Sequence, residues 1–161
     1  MPRNPASEIR KKHIVSLLKR RLGSLDCNHL HRSDWYSSYD GKVEVFITDS
    51  KAHFDQRPWF DMKNEDIKEL AKHPDGFIIF ILGDDTNYLV VPAKHLKAEI
   101  PNHNERITED GRYHFNIVLG KKGFKQLPNW HLHQYRNKIE LIPSVLNEQR
   151  SNYCQVTSPA H

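Results

Sequence analysis

Val43, Val45 and Ile47 alternate with Glu44, Phe46 and Thr48, the period-two spacing of a half-buried strand. A polar stretch, Asp49 to Pro58, follows and gives way to a short aromatic strand, Trp59-Phe60-Asp61-Met62. Asn64 to His73 reads as a helix, and Gly76–Leu82 and Tyr88–Val91 as two apolar strands. Gly83 to Asn87 supplies a hairpin turn between those two, and Pro92 ends the second. The polar stretch is expected to join two strands that pair. Upstream, Ile14, Leu17, Leu18 and Leu22 form one helical stripe over Ser7–Leu22, with Ser7 placed to cap its start and Gly23 to end it. Residues 24–40 show no clean period and read as a loop with a short edge strand, closed by the turn Asp40-Gly41. Lys97 to Gly111 is polar and loop-like, and Tyr113, Phe115, Ile117 and Leu119 alternate in a further strand, Arg112–Leu119. Gly120-Lys121-Lys122-Gly123 is a basic turn. A short helix near Leu132–Arg136 and a closing strand or helix end at Ile139–Ile142 complete the pattern. The expected class is α+β, mostly β: an open mixed sheet with an N-terminal basic helix and one or two short helices.

At 161 residues the chain suits one domain with a core of its own. We divide it into a basic N-terminal helix (1–23), a strand-rich domain (24–146) and a polar tail or linker (147–161). The longest apolar run, Phe77 to Leu82, is far short of a membrane span, and the N-terminus lacks the apolar core of a secretory signal. Cys27 and Cys154 suggest no disulfide framework, so a reducing cytoplasm is the expected compartment. The net charge of +4 is uneven. Residues 1–22 carry seven Lys or Arg against Glu8 alone, which leaves the other 139 residues slightly acidic. A local cationic patch of this kind can neutralise phosphates; it can equally be a solvated helix face.

Lys51, His53, Gln56 and Arg57 place donors of base-reading and phosphate-binding type in one polar stretch, and His103, Asn104 and Arg106 do so in another. Arg pairs in bidentate fashion with guanine, and Asn or Gln with adenine. Lys11, Lys12, Lys19, Arg20 and Arg21 on the helix would supply salt-sensitive phosphate contacts. Double-stranded DNA is therefore the leading partner. The layout over residues 42–119 resembles the B3-like DNA-recognition domains of plant transcription factors and some restriction endonucleases. That resemblance implies an open pseudobarrel gripping the major groove with two arms. Asp49–Pro58 would be the first arm and Lys97–Gly111 the second, with no catalysis and no cofactor. A separate catalytic domain or a second copy of the chain would then be the protein partner.

A second resemblance is to PD-(D/E)XK nucleases. These carry an acidic residue in one strand or turn and an acidic-x-Lys triplet at the end of the next. Asp49-Ser50-Lys51 supplies the triplet, with Asp34 or Asp40 upstream. The resemblance implies Mg²⁺ held by the carboxylates and water activated by the lysine. The triplet sits where strand gives way to loop, and Glu44-Val45-Phe46, in better strand context, lacks the lysine.

Other groupings carry less. Cys27-x-His29-x-His31 would need His131-x-His133 or Cys154 to complete a zinc site, and surface histidines are the simpler reading. Tyr36, Tyr39, Trp59 and Trp130 could stack on bases, although Trp59 and Phe60 suit a core better. His131, His133, Gln134 and Arg136 could touch phosphates or merely coat a helix. No glycine-rich phosphate loop, Ser-His-Asp order or dinucleotide fingerprint occurs. A protein-interaction module, its basic helix unconnected with nucleic acid, stays open as a third class.

Overall fold

A helix α1, Pro5–Leu22, leads the chain, followed by strands β1 (Leu25–Cys27), β2 (Trp35–Ser38) and β3 (Val43–Asp49). Strand β4 (Trp59–Lys63), helix α2 (Asn64–Lys72) and strands β5 (Asp75–Asp84) and β6 (Asn87–Pro92) come next. Helix α3 (Ala93–Glu99), strands β7 (Arg112–Gly120), β8 (Gly123–Gln126) and β9 (Trp130–His131), and 3-10 turns at His133–Tyr135 and Ile139–Leu141 finish it. The structure, a computed structural model, describes residues 5–27, 34–50, 59–84, 86–100, 108–120, 123–126 and 130–144. The protein is α+β with open sheets and an N-terminal basic helix, and the described residues hold two further short α-helices.

The first sheet runs β1-β2-β3-β5-β6, antiparallel throughout except that β3 and β5 are parallel. The second runs β4-β7-β8-β9. Side-chain alternation splits the first sheet between two cores. Val43, Val45, Ile47, Phe77, Ile79, Ile81, Tyr88 and Val90 face α1 and pack with Ile14, Leu18, Leu22 and Ile142. Phe46, Ile78, Phe80, Leu82, Leu89 and Val91 face the other way. There they meet Ile67 and Leu70 of α2, Leu96 of α3, and Phe60, Met62, Tyr113 and Ile117 of the second sheet. Phe60 and Phe80 pack edge-on at 4.9 Å, joining the two sheets.

The expectation that the strands flanking Asp49–Pro58 pair with each other is overturned. β3 pairs with β2 and β5, whereas β4 pairs with β7. β3 and β5 are buried on both faces, which suits central strands covered on each side, and a parallel pair needs a crossover. The segment from Ser50 through α2 is that crossover. Residues 24–40 also hold more strand than expected, two short strands instead of one. β1 has only three residues and β2 four, too few to display a period. Lys97–Gly111 likewise begins inside a helix. Pro92 ends β6 as expected and then stands at the N-cap of α3, one residue before the N1 position that proline favours.

Gly76 shows how tightly α2 docks. A Cβ built on it would lie 2.1 Å from the Leu70 carbonyl oxygen, so only glycine lets β5 pass beneath the end of the helix. At the far edge, Asn137 adopts φ 52° and grips β6: its N–H donates to Tyr88 O at 2.8 Å, and its Oδ1 accepts from Tyr88 N–H at 2.9 Å. That clasp covers the edge of β6.

Candidate nucleic-acid interface

Helix α1 buries Ile14, Leu18 and Leu22 against the sheet and closes with Gly23 at φ 77°, whose N–H donates to Lys19 O at 2.8 Å. Its opposite face, Ile9, Lys12, His13, Ser16, Lys19 and Arg20, is exposed. Three further cations flank the buried stripe and turn inward. Arg10 donates to Asp49 Oδ2 through Nε at 3.0 Å and Nη2 at 2.5 Å. Lys11 Nζ lies 3.1 Å from Asp34 Oδ2. Arg21 donates from Nε to Ile142 O and from Nη2 to Glu140 O at 3.1 Å, tying the helix end to the closing segment.

The sequence therefore found the basic helix but not the division of labour within it. Lys12, Lys19 and Arg20 stand in solvent, whereas Lys11 and Arg21 are engaged within the fold. Arg10 was missed altogether. Its signal was available: it lies one helical turn before Ile14, on the border of the apolar stripe, where a long side chain reaches the sheet.

Asp34 and Asp49 are brought together. The Ile47 N–H donates to Asp34 O at 3.0 Å, which sets Asp34 opposite Ile47 and two positions from Asp49. Ile47 and Asp49 share the α1 face by alternation. Asp40 is not with them. It sits at the other end of the β2–β3 hairpin and accepts from Ser38 Oγ at 2.6 Å and Lys42 N–H at 3.1 Å. The Ser38 hydroxyl, more than the Lys42 amide, holds its carboxyl below the ordinary Asp value. Glu44 faces the opposite side of the sheet, buried, accepting from Trp35 Nε1 at 2.7 Å and Ser37 Oγ at 2.6 Å.

The Asp34 and Asp49 pair does not fit a hard divalent cation as folded. Asp49 Oδ2 is taken by Arg10, and Asp49 Oδ1 accepts from Ser50 N–H at 2.9 Å. Lys11 neutralises Asp34, so two carboxylates face two cations and no surplus negative charge remains to draw Mg²⁺. Among the described residues no group of three or more His, Cys, Asp or Glu is placed to hold a metal.

Lys51, His53, Gln56, Arg57, His103, Asn104 and Arg106 lie outside the described residues, as do His29, His31, Cys154 and the tail from 147. Ser50, from which the first of those segments starts, is held: its N–H also donates to Ile81 O at 3.0 Å. His133, Gln134 and Arg136 are exposed at the β6 edge, and Arg136 Nη2 donates to Asn87 Oδ1 at 2.8 Å. Phe60 is fully buried, as the core reading required; Tyr36 is half-buried and Tyr39 stands in solvent. Among the described residues no helix is long and apolar enough to cross a membrane. No protein-family model, no curated protein and no solved structure matches this chain.

Proposed function

We propose that the chain is a double-stranded-DNA-binding module, the recognition part of a cytoplasmic restriction or defence protein, with no catalysis of its own. One observation carries the reading: the cations of α1 divide into an inward set, Arg10, Lys11 and Arg21, and an exposed ridge, Lys12, Lys19 and Arg20. The inward set fixes the helix to the sheet through Arg10 and Lys11 and to the closing segment through Arg21. The ridge is left to solvent, its ends eight residues or about 12 Å apart, roughly three to four base-pair steps along one strand. Phosphate binding by the ridge sets register, and base reading falls to the polar segments carrying Lys51, His53, Gln56 and Arg57, and His103, Asn104 and Arg106. The first of these starts from Ser50, beside the anchored Asp49, on the face that α1 covers. The B3-like resemblance assigns the same two segments to the groove.

The test is a titration of the full chain against duplex DNA pools over a salt series, with and without Mg²⁺. Saturable binding without cleavage, weakening with log salt, is the expected result. Neither binding nor cleavage would sink the proposal in favour of an interaction module.

A second reading, a Mg²⁺-dependent nuclease of PD-(D/E)XK type, is favoured by one observation: Asp34 and Asp49 share one end and one face of the β2–β3 pair. Arg10 and Lys11 weigh against it, because a metal would have to displace both. Mg²⁺-dependent cutting by the wild-type chain, lost in Asp49→Asn with binding retained, would establish this second reading.

A further inference from the structure

The turn between β2 and β3 presents an aromatic ring to solvent on a rigid mount. Tyr39 is 83% exposed, more than any other large hydrophobic residue among those described. Such a ring normally gains by folding over a neighbour, yet here the backbone is fixed around it. Gly41 takes φ 72° and donates its N–H to Ser38 O at 2.9 Å. Asp40 Oδ1 gathers Ser38 Oγ and Lys42 N–H, and Ser38 Oγ in turn accepts from Val43 N–H at 3.1 Å. Ser38, next to the ring, is itself buried. Four hydrogen bonds thus hold a turn whose tip, Tyr39 to Lys42, is wholly exposed.

The position of this tip connects it to the cationic ridge. α1 runs antiparallel to β3, since Arg10 meets Asp49 at one end and Leu22 leads within three residues to Leu25 at the other. Leu25 pairs with Ser38, the residue before Tyr39. Lys19 and Arg20, in the last turn of α1, therefore lie at the same end of the molecule as Tyr39 and Lys42.

We infer that Tyr39 is a stacking platform for an unpaired nucleobase of the DNA whose phosphates Lys19, Arg20 and Lys42 neutralise. The inference rests on the DNA-binding reading and extends it from paired duplex to DNA that has a base out of its stack. A tyrosine face takes any base, so this contact discriminates paired from unpaired DNA and not one sequence from another. Lys42 is the cation nearest in the chain to the ring and completes an aromatic-plus-cation arrangement suited to a base with its phosphate. Pre-ordering the turn matters because no entropy of loop ordering is then lost on binding.

The experiment compares two duplexes of one sequence, fully paired and carrying a single unpaired 2-aminopurine, against the full-length wild type, Tyr39→Ala, Tyr39→Phe and Lys19→Ala. Wild type should bind the unpaired duplex about tenfold tighter and quench the 2-aminopurine fluorescence by stacking. Tyr39→Phe should keep both effects. Tyr39→Ala should lose both while its affinity for the paired duplex and its salt slope stay unchanged. Lys19→Ala should weaken the two duplexes equally. Retention of preference and quenching in Tyr39→Ala overturns the inference, as does absence of any preference in wild type; in both cases the binding to paired DNA leaves the broader reading intact. Failure of wild type to bind either duplex overturns both.

Discussion

The Arg10–Asp49 pair is asymmetric in a way that decides which substitution hurts. The Asp49 side chain is 5% exposed and Arg10 20%, so the carboxylate is the buried partner. Arg10→Ala strands that carboxylate with only the Ser50 amide, and should cost about 2–3 kcal/mol, somewhat below the cost of breaking a fully buried pair because Arg10 is itself partly exposed. Asp49→Asn keeps an acceptor for Ser50 and leaves a guanidinium on a long stem that can swing to water; about 1 kcal/mol is expected. Lys11→Ala should cost less than about 1 kcal/mol, because Asp34 is a quarter exposed. Urea unfolding at neutral pH measures all three, and equal costs for Arg10→Ala and Asp49→Asn would contradict the burial argument. A second residue-scale effect concerns alkaline pH. Tyr135, buried beside His95 with its OH 2.9 Å from Nδ1, has its phenol pushed up by burial first and by Glu99 second. The folded state therefore holds this proton more tightly than the unfolded chain. Its contribution is fully present below the unfolded value of about 10 and is lost as pH rises through the higher folded value. Tyr135→Phe should cost about 1 kcal/mol near neutrality through the lost hydrogen bond, and should flatten the decline in stability above pH ~10. A variant that declines as steeply as wild type in urea titrations from pH 8 to 11 would count against this assignment.

Among the elements, two glycines separate backbone strain from collision. Gly23 takes φ 77° with open space around a Cβ, so Gly23→Ala meets only the left-handed penalty, about 1 kcal/mol. Gly76 has no such dihedral, but its Cβ would collide with backbone at Leu70 O, and the end of α2 must move to admit it. Gly76→Ala should cost clearly more, about 3 kcal/mol or above, read as the difference in urea midpoints at matched m-values. The reverse order would mean that α2 is loosely docked. The elements themselves were largely legible. The stripe Ile14–Leu18–Leu22, the alternation in β3 and the apolar runs of β5 and β6 each bury a face that repeats in the sequence. What local pattern could not show was which strands pair. Val43, Val45 and Ile47 read as one buried face, yet Phe46 is buried too, because α2, α3 and the second sheet cover the other side. That coverage is tertiary, and it is what draws β3 toward β5 and away from β4. α3 escaped notice for a local reason: Pro92 signals a strand's end and a helix's start with the same ring.

For the molecule as a whole, the basic character of residues 1–22 is not one property but two. The charge excess was plain in the sequence, as were Asp34 and Asp49; their mutual neutralisation was not, because Arg10 and Asp49 are 39 positions apart in the chain. Cations that face the sheet answer to stability and cations that face solvent answer to phosphate, so the two sets should separate in one pair of measurements. The triple variant Lys12→Ala/Lys19→Ala/Arg20→Ala should unfold within about 0.5 kcal/mol per site of wild type, as exposed positions do. Its slope of log binding constant against log salt should shrink by roughly 0.9 per removed cation that contacts a phosphate, nearly three units if all do. The complementary variant Arg10→Ala/Lys11→Ala should lose about 3 kcal/mol of stability. Measured below its unfolding range, the fraction still folded should bind duplex DNA with the wild-type salt slope, because these two charges are spent on Asp49 and Asp34 before any phosphate arrives. If the inward pair instead sets the slope and the exposed ridge does not, then α1 must leave the sheet to bind. The ion pairs with Asp34 and Asp49 would then be the contact that DNA breaks, rather than the anchor that presents the ridge.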